Sequence, residues 1–183
     1  MRRSTAIGAC ALLMAAVCHS QATPRNISNI DEFVKWHNEV FTSSTTVIAN
    51  IRLTGNIEFN ETTSALAPLG HTHNTAFSGI FDGNGHTISG LVVKVPGNAG
   101  LFVKLVNATV TDLVIDEKCS IESTGGCAGG VSAEVDGAVV FDKVTNHASV
   151  KSTASSGGIV GSAPSSSTTA TTVLAKQENT NGE

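Results

Sequence analysis

The stretch Phe77-Ser-Gly-Ile-Phe-Asp-Gly-Asn-Gly-His-Thr-Ile-Ser-Gly-Leu-Val-Val93 decides how this chain is read. Ile80 and Phe81 belong to one apolar run. Asp82-Gly83-Asn84-Gly85 then supplies residues that accept a positive φ at low cost, so a tight turn is expected there. Thr87, Ile88, Leu91, Val92 and Val93 resume a run rich in β-branched side chains. Taken alone, strand, turn and strand make a two-stranded hairpin. The surrounding chain argues for something larger.

Gly100-Leu-Phe-Val-Lys-Leu-Val-Asn-Ala-Thr-Val-Thr-Asp-Leu-Val-Ile-Asp116 aligns with Gly130-Val-Ser-Ala-Glu-Val-Asp-Gly-Ala-Val-Val-Phe-Asp-Lys-Val-Thr-Asn146. Gly100 matches Gly130, Ala108 matches Ala138, Val110 matches Val140 and Asp112 matches Asp142. A third start lies at Gly157-Gly-Ile-Val-Gly161. Leu113 falls against Lys143, so the second copy must shift phase there or lose an inward contact. A period of ~20–30 residues with one or more strands per unit is the mark of a β-solenoid, because one unit cannot bury its apolar side alone. The fold class expected is all-β, a short parallel β-helix. In it Val110 touches Val140, and Ile80, Leu101 and Val131 line the same interior. A sandwich of hairpins is the competing architecture and has no reason to repeat at fixed spacing.

Upstream, Asn29 can cap a helix, with Glu32 three residues later completing a capping box. Phe33, Trp36, Val40 and Phe41 keep helical spacing, which predicts an amphipathic helix over about 30–41. Residues 47–54 and 56–59 read as strand, with Ile51, Leu53, Ile57 and Phe59 inward. A turn-bounded apolar piece (65–70) and a polar loop (71–75) lead into the quoted stretch.

The 183 residues suit about one domain. Charged residues are only 14% of the chain and the net charge is -4, which gives no electrostatic case for nucleic acid or an anionic membrane surface. Arg2 and Arg3, the apolar run Ala6–Val17 and the small residues Ser20 and Ala22 form the three parts of a secretory signal peptide, 1–22, cut after Ala22. No later segment is apolar enough to span a bilayer. An extracellular location follows, secreted or at the cell surface. Residues 162–183, rich in Ser and Thr, cannot bury a core and are expected to be a disordered tail, with a glycosylated stalk or the end of a longer solenoid as the alternatives. The β-solenoid domain with its capping helix would then be 29–161.

The order of these pieces resembles the start of GLUG-repeat proteins: the helix at Asp31-Glu-Phe-Val-Lys-Trp36, then Ile51–Phe59, Ala67-Pro-Leu-Gly70, the Phe-Asp-Gly-Asn-Gly-His-Thr-Ile core and Gly100-Leu-Phe102. The resemblance covers roughly 29–161. It implies a secreted or surface protein with a pectin-lyase-like right-handed β-helix behind a capping helix. It implies an adhesive or structural role rather than catalysis. These solenoids usually run for more coils than this chain can hold.

Several residues invite chemistry. Cys119 and Cys127, eight apart, either form a disulfide in an oxidising compartment or stay as two small apolar thiols. Asp112 and Asp142 recur at one point of the repeat. Stacked about 4.8 Å apart, they would make a calcium site or a carboxylate pair for glycoside hydrolysis, whereas Asx-turns need only their acceptor oxygens. His71, His73 and His86 offer imidazoles in loop-like settings without a neighbouring carboxylate, and Asp82–His86 lacks the later ligands of a calcium loop, so no metal is expected. Asn26, Asn60 and Asn107 head N-glycosylation sequons. No arginine follows Arg52 to act as a lyase base, and Gly85-His86 is followed by Thr87 instead of the glycine of a polygalacturonase motif. The reading is a non-catalytic surface protein without a cofactor, contacting an extracellular protein or glycan. A carbohydrate-active enzyme, or a fragment of a larger surface protein, is the alternative.

Overall fold

A computed structural model describes residues 23–42, 44–64, 68–71 and 74–163. The expected signal peptide, His73 and nearly all of the expected tail lie outside the described residues. The chain begins with β1 (Arg25–Ile27) and helix α1 (Ile30–Val40). β2 (Val47–Leu53), β3 (Ile57–Glu58) and a one-turn helix α2 (Glu61–Ser64) follow. The quoted stretch supplies β4 (Ala76–Asp82), β5 (Thr87–Ser89) and β6 (Val92–Val95). Next come β7 (Phe102–Thr111), β8 (Val114–Ile115), β9 (Ser120–Ser123) and β10 (Cys127–Gly129). β11 (Ser132–Asp136), β12 (Val140–Asp142), β13 (Thr145–Asn146), β14 (Ser149–Ser152), β15 (Ser155–Gly157) and β16 (Val160–Ser162) complete it.

The fold is mostly β, and its described pairings are all parallel. One sheet has the order β1-β2-β4-β7-β11-β16, with β12 also on β7. A second runs β3-β5-β8-β13, a third β6-β9-β14, and β10 pairs with β15. β4, β5 and β6 therefore lie in three different sheets, so the quoted stretch is not a hairpin. Its turn is a corner. Asn84 and Gly85 have positive φ (50° and 76°), and the His86 N–H closes the turn on the Gly83 carbonyl at 2.8 Å. A second corner at Gly90 (φ 69°) sends Leu91 inward and leaves Val92 on the outside, 55% exposed. Parallel neighbours need a long crossover, and here strands in the other sheets provide it.

Partners in adjacent strands are about 30 residues apart, within the range of stacked structural repeats. The inward column Ile51, Phe81, Val110 and Phe141 is in register from β2 through β12, and each member is at most 1% exposed. Ile57, Ile88 and Ile115 make a second column, and Val93 and Ile121 a third. Leu101 and Val131 are buried as expected, and so are Ile51, Leu53, Ile57 and Phe59.

Two register expectations are corrected. Val110 faces Phe141, while Val140 faces Thr109 and is partly exposed; Ile80, next to the buried Phe81, likewise faces outward. The second copy holds one extra residue. Val106 pairs with Asp136, but Thr109 pairs with Val140. The additional residue lies at Gly137-Ala138, where the Ala138 N–H donates to the Asn107 side-chain oxygen at 3.0 Å. Ala138 is exposed and Val139 is buried, so the match of Ala138 to Ala108 also slips by one. The slip rescues packing: Val144 takes the inward place that corresponds to Leu113, and Lys143 moves into the corner.

Between β1 and β2 in the chain, α1 buries Phe33 and Trp36. Phe33 meets Phe59 edge-on at 5.5 Å, and Trp36 meets Phe77 at 6.3 Å. Asn29 caps the helix, accepting the Glu32 N–H at 3.0 Å. The Glu32 carboxylate reaches back past the cap to Ser28, accepting from its N–H (2.8 Å) and its hydroxyl (2.9 Å). The helix stops at Val40, with Phe41 turned out of helical geometry and packed on Trp36 at 5.6 Å.

Candidate functional site

One row of polar side chains lies where the large sheet turns into the second one. Arg52, Asp82, Thr111 and Asp142 are in register along this corner. Arg52 pairs with Asp82 at 3.1 Å and donates to the Asn84 side-chain oxygen. Asn84 in turn donates to the Leu53 carbonyl at 3.2 Å, tying one level to the one before it.

Asp112 and Asp142 do not occupy equivalent places. Asp112 sits at the corner with φ 49°, and its counterpart is Lys143 with φ 52°. Asp142 ends β12 opposite Thr111. One Asp112 oxygen lies 3.4 Å from the Lys143 ammonium and the other accepts the Thr111 hydroxyl at 3.1 Å. The Asp112 N–H donates to the Asp142 backbone carbonyl at 2.9 Å. The link between the two residues therefore runs through the backbone of Asp142, and a lysine stands beside the Asp112 carboxylate. The predicted Asx-turn chemistry is found at other aspartates. Asp82 accepts from the Asn84 N–H at 2.8 Å and Asp116 from the Lys118 N–H at 3.0 Å. Among the described residues, no three His, Cys, Asp or Glu side chains converge as metal ligands. His71 is exposed and His86 lies in the corner after Gly85.

Cys119 and Cys127 are both free thiols in the structure, the second of the two alternatives left open by their spacing, and no disulfide joins them. The Cys119 sulfur is buried and turned toward the preceding level, where it accepts the Leu91 N–H at 3.4 Å. Burial pushes its thiol up to about 11; the Leu91 N–H opposes that rise and the Asp116 carboxylate adds to it. Cys127 lies in β10, paired with Ser155 of β15 and partly exposed. The sequon asparagines are all exposed. Asn60 exchanges hydrogen bonds with Thr63 ahead of α2, its side-chain oxygen accepting the Thr63 N–H at 2.9 Å and its own N–H donating to the Thr63 hydroxyl at 2.8 Å. Asn107, with φ 49°, is where β7 carries an extra residue relative to β4.

Sequence reasoning missed a set of asparagines that bond across levels. The side-chain oxygen of Asn50 accepts the Ile80 N–H, that of Asn56 the Thr87 N–H and that of Asn98 the Cys127 N–H, at 3.0–3.2 Å. Asn56 and Asn98 supply acceptors between strands, and Asn107 does so for Ala138 where the register of β7 shifts, whereas Asn50 lies inside β2 opposite Ile80. The signal was an asparagine recurring about 30 residues before the N–H that it accepts. No helix among the described residues is long and apolar enough to cross a membrane. Compared with known proteins, the chain matches no family model, no curated protein and no solved structure at a significant level.

Proposed function

We propose that this chain is a secreted or cell-surface β-solenoid of the GLUG-repeat kind, working by contact with an extracellular protein or glycan in an adhesive or structural role. The observation that carries the reading is the order in which the chain visits its sheets. It passes from the first to the second to the third three times in succession, through β4-β5-β6, β7-β8-β9 and β12-β13-β14. Parallel coils stacked one on another have this order, with α1 closing the first coil.

The contact role rests on how the outer charges are used. Arg52 pairs with Asp82, Lys94 with Glu122, Lys104 with Asp136 and Lys143 with Asp112, each pair joining one level to the next. Charges spent in cross-strand pairs serve the stack. Asn26, Asn60 and Asn107 are the glycan acceptors of this reading in a eukaryotic secretory pathway, and 1–22 is its cleaved leader.

Two measurements test it. N-terminal sequencing of the extracellular product should begin after Ala22; recovery of Met1 on extracellular protein would overturn secretion. The purified chain should leave pectin and related polyanions unchanged with and without calcium. Turnover that disappears in Asp112→Asn would replace this reading with the carbohydrate-active one.

A further inference from the structure

We draw no further inference here: the strongest candidate, the end of the stack where β13, β14, β15 and β16 each lie at the edge of their sheet, carries nothing because nothing among the described residues shows what covers those edges.

Discussion

Single residues decide where this chain can turn. Gly79 has φ 119°, and a Cβ there would stand 2.2 Å from the Ala49 carbonyl oxygen in the next strand. Gly85 also has a positive φ, 76°, but a Cβ would meet nothing within 4 Å. Gly85→Ala should cost about 1–3 kcal/mol, the backbone strain alone, and Gly79→Ala should cost more because two strands must separate. Chemical denaturation of the two variants measures the difference; equal losses would contradict the close approach. Lys143 is the one positive-φ residue outside Gly, Asn and Asp among the described residues. Its ion pair with Asp112 is largely exposed and contributes little. Lys143→Asn should therefore raise stability by up to ~1 kcal/mol, since asparagine tolerates the left-handed region better. The thiols make a further residue-scale prediction. Alkylation of the native protein at pH 8 should label Cys127 and spare Cys119 until the chain unfolds. The folded Cys119 thiol titrates above its ordinary value of 9.0, at about 11, so the folded state holds that proton more tightly. Its contribution to stability is complete below pH 9 and is lost as pH rises through about 11, a loss that Cys119→Ala should abolish. A linked 119–127 fragment in non-reducing peptide maps would contradict both expectations.

At the scale of elements, α1 is held by a cap at one end and an aromatic face along its length. Asn29→Ala should cost about 1 kcal/mol through the loss of the bond to the Glu32 N–H. The Glu32 carboxylate is held below its usual range, first by the Ser28 N–H and then by the Ser28 hydroxyl. A lowered carboxylate stabilises the fold above its unfolded value of 4.5, and that contribution disappears as pH falls through the folded value. Acid unfolding followed by circular dichroism should show Glu32→Gln less sensitive than the parent below pH 4.5. An unchanged acid profile would mean that the Ser28 contacts do not hold the cap. The larger anchor is Trp36, ringed by Phe33, Phe41, Phe77 and Phe81. Its indole N–H is the one buried side-chain polar atom without a hydrogen-bond partner among the described residues.

For the whole molecule, the decisive contacts join residues far apart in sequence. Val110→Ala should cost about 1–3 kcal/mol and Phe141→Ala about 3–5 kcal/mol. Because the two are in register, the double mutant should depart from additivity by at least ~0.5 kcal/mol. Val140→Ala, on the outer face, should cost within about 0.5 kcal/mol and add simply to Val110→Ala. Coupling of Val110 to Val140 in place of Phe141 would restore the unshifted repeat and refute the observed register. The proposed stack predicts that such couplings fall between residues one coil apart.

Much of this architecture could be read before any coordinates. The capped helix was legible because Asn29, Glu32 and the spacing of Phe33 and Trp36 act within a few residues. The inward positions of β2 and β3 were legible because strand alternation is local, and the turn at 82–85 because Gly and Asn carry their conformational freedom with them. Tertiary structure decided the rest. The same tight turn serves a hairpin or a corner, and only the partners of β4 and β5, about 30 residues away in the manner of stacked repeats, distinguish the two. Register followed the inward side chains: matching Asp112 to Asp142 preserves a residue type, but it would put Lys143 in the place of Leu113. Burial of Val144 and Phe141 outweighs that match, because a one-residue slip exchanges the inner and outer faces of a strand. The cysteines were decided in the same way. Their spacing of eight permits a bridge, but the direction of the Cys119 side chain, set by the level it packs against, does not supply one.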